Sequence, residues 1–296
     1  MSRTSFKKEY LFAGISILIW STIGVVTKWL QQAQIGNMQI VAASSLFGFA
    51  FLFAVCLFTG RLKLLRGMRA KELLILSGVG LLGTFVYHLL LYSGIAYLSA
   101  SQAIIINYLW PIMIVLFACL ILKEPLTGRK LLAIGLSFLG VAVVTAGGDL
   151  LHVEPQTLLG ALFCVLAAVS YGLYSVLNKR LHVDELLAMT VFYGASALLS
   201  LVWIALRGDW FTPDLPQLAG LAWMGVFTYA IAYITWALAI DRGDTAKIAN
   251  TAYITPFLTL VWTSLLLREP FSLWSVLGLL LILAGVFIQL RDTKQS

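Results

Sequence analysis

The sequence Asn-Tyr-Leu-Trp-Pro at residues 107–111 interrupts an uncharged apolar run, residues 98–122. A run of this length can cross a bilayer as a helix, because ~20 apolar residues span about 30 Å of hydrocarbon. Lipid contact alone does not favour an amide, an indole and a proline in mid-membrane. Proline frees a backbone carbonyl, which neighbouring helices or a cavity must satisfy. The stretch therefore predicts a membrane helix that faces protein or a cavity.

A second uncharged run repeats this pattern 145 residues later, and residues 108–141 align with residues 253–286 without a gap. Both copies continue into a Glu-Pro pair, at residues 124–125 and 269–270. Charged residues are scarce in this chain, so composition alone does not explain the matched pairs. The sequence therefore predicts an internal duplication. The other identical pairs include Tyr108/Tyr253, Pro111/Pro256, Gly140/Gly285 and Val141/Val286.

The composition of the whole chain is that of a membrane protein. Of its 296 residues 60% are hydrophobic and 11% charged, and the mean hydropathy is +0.94; a soluble domain carries about 25% charged residues. The net charge of +7 comes from loop residues that set topology, so we expect no nucleic-acid partner. The three cysteines lack metal-ligand spacing, and no metal or cofactor is expected.

Apolar runs separated by short loops predict an all-α polytopic protein with ten transmembrane helices. Residues 1–148 form the first five-helix repeat and residues 149–296 the second. Because five is odd, the two repeats enter the membrane from opposite sides, and such inverted repeats enclose a central cavity in secondary transporters. The predicted spans are residues 10–30, 37–59, 72–97, 100–122, 128–147, 157–178, 185–206, 217–240, 245–267 and 272–290.

Lysine and arginine are distributed unequally between the two sets of loops. The N-terminus, the loops after spans 2, 4, 6 and 8 and the C-terminal tail carry most of them, whereas the opposite loops hold only Arg207 and Arg268. The positive-inside rule therefore predicts cytoplasmic N- and C-termini. Lys28 lies near the outer end of span 1, where we expect it either to snorkel to the interface or to attract a carboxylate.

The chain resembles the EamA-type transporters of the drug/metabolite transporter superfamily in its ten spans and its two Glu-Pro closures. Residues 20–22 (Trp-Ser-Thr), 107–111 and 253–256 resemble more narrowly the bacterial aromatic amino acid exporters. The resemblance implies a central cavity lined mainly by spans 1, 3, 4, 6, 8 and 9. It also implies export of small hydrophobic or aromatic amino acids and related metabolites across the inner (plasma) membrane by alternating access.

Charged side chains are absent from the middle of every predicted span, and this restricts the substrate. A charge in mid-membrane is costly and usually functional. The missing carboxylate disfavours proton-coupled export of cations, and the missing Lys or Arg disfavours phosphate-bearing substrates. A substrate that is neutral overall or zwitterionic remains. His88 is a titratable group inside span 3, and it either carries a proton or is a neutral side chain that hydrogen-bonds a neighbouring helix.

Polar and aromatic side chains within the spans are the candidate binding residues. Amides in hydrocarbon need partners, so Asn107 and Asn250 should face protein or a cavity, and aromatic walls suit a flat or apolar substrate. Pro111 and Pro256 are candidate hinges. The substrate-binding candidates are Trp20, Tyr87, His88, Asn107, Trp110, Tyr171, Tyr233, Asn250 and Tyr253.

We therefore expect a secondary transporter that exports amino acids, with a small-molecule substrate and the lipid bilayer as partners. The sequence leaves the oligomeric state open, and a monomer is compatible with it. The alternative is a broad drug or quaternary-ammonium exporter, since aromatic faces attract cations. A lipid-processing enzyme would need a polar catalytic constellation at one interface. The sequence contains no such constellation and no nucleotide-binding motif, so we do not expect an enzyme.

Overall fold

The computed structural model describes residues 8–149, 152–243, 245–270 and 272–292, and these form ten helical spans. Nine have the length and hydropathy to cross a membrane, and the tenth contains a shorter apolar helix, Ala252–Leu266. The predicted fold is confirmed, and the span ends lie within two residues of the predicted limits. Spans 1 to 10 are Lys8–Gln32, Asn37–Phe58, Ala70–Tyr97, Ala100–Ile121, Gly128–Ala146, Pro155–Asn178, Glu185–Arg207, Leu215–Arg242, 245–266 and Leu273–Asp292.

Spans 4 and 9 are interrupted at matching positions. Span 4 consists of helices Ala100–Asn107 and Trp110–Ile121, and span 9 of Thr245–Thr251 and Thr255–Leu266 with a 3₁₀ turn between them. The proline of each copy is the second residue of the second helix. A proline in the first helical turn needs no amide donor, so each proline begins a helix rather than breaking one.

The loops after these spans also match. Lys123 and Arg268 have left-handed backbones with φ of 58° and 57°. The following amides, those of Glu124 and Glu269, donate to Ala118 and to its equivalent Thr263. Left-handed backbone is unusual for residues other than glycine. The duplication therefore extends from sequence to local backbone geometry.

Spans 3 and 8 each contain a segment of π-helix, at Leu82–Val86 and Trp223–Ile231. The amide of the next residue donates to the carbonyl five positions back in both segments. Such wide turns concentrate at functional sites. Gly83 in the first segment lies against the ring of Tyr174 in span 6, since an added Cβ would come within 2.4 Å of it.

The α-helix of span 1 is interrupted by a turn at Ser21 and Thr22, between helices Lys8–Trp20 and Ile23–Gln32. Side chains of the second half stabilise the break. The indole of Trp262 donates to Ser21 Oγ and that of Trp223 to Thr22 Oγ1, each at 2.9 Å. The break therefore ties the first half to spans 8 and 9.

Spans 5 and 10 pack closely, and this contact joins the two halves. A Cβ at Gly140 would lie 2.6 Å from the carbonyl oxygen of Gly278, so the small residues allow the backbones to approach. The domain boundary after residue 148 stays a prediction. The cytoplasmic position of the termini also stays a prediction, and residues 1–7 and 293–296 lie outside the described residues.

Candidate functional site

A cavity of about 160 Å³ lies where the interrupted spans of the two halves meet. Its walls come from spans 1, 3, 4, 6, 8 and 9, the six spans that the resemblance implied. The lining residues are Trp20, Ile23, Tyr87, His88, Leu91, Ile104, Asn107, Tyr108, Trp110, Tyr171, Thr228, Tyr229, Tyr233, Trp236, Ala252 and Thr255.

Aromatic rings form two walls of this cavity. In the first wall Tyr171 contacts Tyr87 and Trp110, with ring centroids 5.0 and 5.5 Å apart. In the second wall Trp20 contacts Tyr233 and Trp236, with centroids 5.2 and 5.3 Å apart. These separations fit edge-to-face and offset contacts between aromatic rings. The walls offer both π faces and apolar area to a ligand.

His88 stands at the cavity wall directly after the π-helical segment of span 3. Its Nδ1 lies 2.5 Å from the carbonyl oxygen of Thr84. A carbonyl only accepts, so Nδ1 carries the proton and Nε2 of the neutral ring keeps its lone pair. The hydrogen bond stays within span 3 instead of reaching another helix. His88 also contacts Tyr229, whose hydroxyl is hydrogen-bonded to that of Tyr92.

Two buried polar atoms at the cavity have no hydrogen-bond partner among the described residues. They are Asn107 Oδ1 and Thr255 Oγ1, on side chains that are each 4% exposed. Asn107 Nδ2 donates to the hydroxyl of Tyr87 at 3.0 Å. A buried polar atom without a partner costs about 1–3 kcal/mol. These two atoms are therefore the groups that a ligand would satisfy.

The structure brings seven of the nine predicted binding residues together around this cavity and places two elsewhere. Asn250 is exposed on the helix Thr245–Thr251. It lies within about 8 Å of the start of span 9, at 1.5 Å per residue, where an amide can reach the interface. Tyr253 packs against Phe287 of span 10, with centroids 5.4 Å apart.

Several lining residues were not among the predicted binding residues. Tyr229 and Trp236 are aromatic residues of span 8, and nothing in their spacing separates them from packing residues. Thr255 lies inside the repeated motif but is the counterpart of Trp110, so the duplication directs attention away from it. Thr228 lies in the π-helical segment of span 8, which hydropathy does not reveal.

At the end of the molecule predicted to face outward, charged groups join span 1 to span 3 and the loop after span 9 to span 4. The ammonium of Lys28 donates to the carbonyls of Ile95 and Leu98 at 2.7 and 2.8 Å, where span 3 ends. The carboxylate of Glu269 accepts from the amides of Ala100 and Ser101 at 2.7 and 3.2 Å, where span 4 begins. Lys28 is thus held by protein, rather than snorkelling alone or waiting for a substrate.

A second cavity, of about 390 Å³, lies on the side predicted to be cytoplasmic. Its lining includes Arg61, Glu185 and Asp241, and it shares Tyr233 with the aromatic cavity. Tyr233 therefore lies between a charged vestibule and the aromatic cavity. No group of three potential metal ligands occurs in the residues that the structure describes.

Ten spans with matched interruptions around a cavity between two halves define a secondary transporter fold. Comparison with known proteins agrees. The sequence matches the EamA-like transporter family over residues 7–146 and 158–291. The chain belongs to this family of transporters, which confirms the resemblance drawn from the sequence.

Individual relatives cover between about three quarters and nearly all of the chain at low identity. An uncharacterized transporter of Archaeoglobus fulgidus is 23% identical over 96% of this chain and 99% of its own. The aromatic amino acid exporter YddG of Ancylobacter novellus is 26% identical, with 88% of each chain covered. A probable terminal-alkyne amino-acid exporter of Streptantibioticus cattleyicolor is 26% identical over 77% of this chain and 76% of its own. A solved crystal structure with 23% identity and a TM-score of 0.67, covering 99% of both chains, shares the fold.

Proposed function

We propose that this transporter exports small hydrophobic or aromatic amino acids by alternating access. The observation that carries the proposal is the aromatic cavity between the halves, which combines two ring walls with unpartnered polar atoms. An amino acid has an apolar side chain for the rings and a polar head group for Asn107 and Thr255. The names of two relatives, an aromatic amino acid exporter and a probable terminal-alkyne amino-acid exporter, support the same substrate class.

The charged vestibule supports a direction of entry. A zwitterion can meet the carboxylates of Glu185 and Asp241 there, and the guanidinium of Arg61, which also pairs with Asp184 at 2.9 Å. From the vestibule it would reach the aromatic cavity past Tyr233. The loop charges favour placing this vestibule in the cytoplasm of a cell whose inner membrane holds the protein.

The alternative, a drug or quaternary-ammonium exporter, is supported by the same aromatic faces. The cavity volume of about 160 Å³ favours the smaller substrate, because pockets for drug-sized ligands measure ~300–1,000 Å³.

Transport into proteoliposomes tests the proposal. Liposomes that contain the purified protein should accumulate radiolabelled phenylalanine, tyrosine or leucine faster than empty liposomes. The rate of uptake should fall when unlabelled substrate competes. A parallel assay with methyl viologen tests the alternative. Movement of methyl viologen without any of the amino acids would overturn the amino acid proposal.

A further inference from the structure

We propose that the cavity recognises its substrate through a primary ammonium group held by Asn107 Oδ1 and Thr255 Oγ1, and that the carboxylate contributes little to affinity. This inference rests on the proposed function for the kind of side chain that occupies the aromatic walls. It adds that the protein recognises the ammonium half of the amino acid head group rather than the carboxylate half. Primary amines with the same side chain should therefore bind with an affinity within about tenfold of that of the amino acids.

The first argument is the orientation of Asn107. Its Nδ2 is engaged by the hydroxyl of Tyr87 at 3.0 Å, and its Oδ1 is buried without a partner in the described part of the chain. The atom left for a ligand is thus an acceptor. An ammonium group is a donor with three N–H bonds and is the complementary partner.

The second argument is that two other polar atoms at the cavity can also accept. Thr255 Oγ1 is buried next to the hydroxyl of Tyr108, which donates to the carbonyl of Ala252 instead, and a hydroxyl has two lone pairs. His88 uses its Nδ1 proton on the carbonyl of Thr84, which leaves Nε2 as an acceptor. Three acceptors from spans 3, 4 and 9 therefore line one small cavity.

The third argument is the charge of the lining. In the described residues that line the cavity there is no Lys or Arg, and the ammonium of Lys28 is occupied at the end of span 3. A carboxylate in the cavity thus has no cation to pair with. An ammonium group has aromatic faces instead, and these attract cations within about 6 Å of a ring centroid.

The two acceptors come from different halves of the molecule. Asn107 ends the first helix of span 4, and Thr255 begins the second helix of span 9. The hydroxyl of Tyr108 bonds the carbonyl of Ala252 at 3.0 Å and so connects these two interruptions. A ligand ammonium that bridges them would connect the halves a second time.

Competition binding tests this inference on the full-length protein reconstituted in liposomes. Labelled L-phenylalanine is displaced with unlabelled phenethylamine, which keeps the amine, or with 3-phenylpropionate, which keeps the carboxylate. We expect phenethylamine to compete within about tenfold of phenylalanine and 3-phenylpropionate to be at least about a hundredfold weaker. The reverse order would overturn the ammonium assignment and leave the amino acid proposal standing.

If phenylalanine does not bind, labelled phenethylamine is used directly. Binding of the amine alone would contradict the amino acid proposal and support the ammonium site. Binding of neither compound would sink both.

Amino acid substitutions test whether Asn107 and Thr255 accept hydrogen bonds from the ligand. Asn107→Leu and Thr255→Val should each weaken phenethylamine binding about tenfold or more, since a hydrogen bond to a charged group is lost. Asn107→Asp keeps an acceptor and adds a negative charge, so amine binding should be retained or strengthened. Weaker amine binding in a folded Asn107→Asp protein would contradict the assignment.

Thr263→Val is the matched control. Thr263 is a buried threonine of the same span whose hydroxyl bonds the carbonyl of Leu260, and it lies outside the cavity lining. Its replacement should leave phenethylamine affinity within about twofold of that of the unmodified protein. A tenfold loss in this control would mean that the variants act through the packing of span 9.

Discussion

The interruptions of spans 4 and 9 are two copies of one backbone feature with different side chains. The first copy directs Asn107, Tyr108 and Trp110 to the cavity, whereas the second contributes Ala252 and Thr255. The shared backbone places two helix breaks where the halves meet. The differing side chains give the first copy the aromatic rings of Tyr108 and Trp110 and leave one unpartnered polar atom in each copy. Duplication can thus conserve the architecture of a transporter while its two copies place different side chains at the cavity.

The largest effect on substrate affinity should come from removing Trp110, a ring of the cavity wall that only the first copy supplies. Trp110→Ala deletes a ring that packs on Tyr171 at the cavity, and burial of an aromatic side chain contributes about 1.5–3 kcal/mol. We expect phenylalanine affinity in proteoliposomes to fall roughly ten- to a hundredfold. Tyr253→Ala, the corresponding change in the second copy, should leave affinity nearly unchanged, because Tyr253 packs on Phe287. Equal losses in both variants would contradict the asymmetry.

A second effect concerns the carboxylate by which the second half holds the start of span 4. Glu269 accepts from two amides and from Ser101 Oγ. Glu269→Gln should lower the free energy of unfolding by about 1–2 kcal/mol, as expected for a charged helix cap. Thermal unfolding in detergent measures it.

Glu154→Gln is the control for that change. Glu154 precedes span 6 and, in the part of the chain described by the structure, makes no side-chain capping hydrogen bond. Its replacement should leave the thermal midpoint unaltered. Equal shifts in the two variants would refute a specific role for Glu269.

The smallest effect should come from a single hydroxyl. Tyr108→Phe removes the bond to the carbonyl of Ala252 and should cost about 1 kcal/mol. Tyr253→Phe should cost less, since the ring contact with Phe287 is kept. Parallel thermal unfolding of the two variants measures the difference. A larger loss of stability for Tyr253→Phe would contradict the role of the Tyr108 hydroxyl in connecting the two interruptions.

The fold was predictable from the sequence because hydropathy and loop length determine where helices cross a membrane. The spans and the duplicated Glu-Pro loops follow from those signals. The break at Ser21 and Thr22 does not, because two hydroxyl residues in an apolar run look like ordinary packing residues. At the break the hydroxyls of Ser21 and Thr22 each donate to the carbonyl three residues back, and they accept from the indoles of Trp262 and Trp223, 241 and 201 residues away along the chain. A local pattern does not reveal those indole partners.

The site was predictable where a residue type is costly in lipid, as for His88 and Asn107. It was not predictable where equivalent residues have different neighbours. Tyr108 and Tyr253 are equivalent in sequence, and both interruptions contain amide-to-carbonyl bonds across three residues. Tyr108 nevertheless lines the cavity, whereas Tyr253 packs on Phe287 of span 10. Asn250 has no counterpart amide, since the residue at the matching position is Ile105.

The π-helical segment before His88 determines which side chains of span 3 face the cavity, because it changes the number of residues per turn. A π turn holds one residue more than an α turn, and one residue corresponds to about 100° of rotation in an α-helix. Tyr87 and His88 therefore face the cavity because span 3 contains one inserted position upstream of them. A relative without that position would present a different face of span 3 to its substrate even with every neighbouring residue identical. Gaps in this short segment, as much as substitutions, are where specificity in such transporters can diverge.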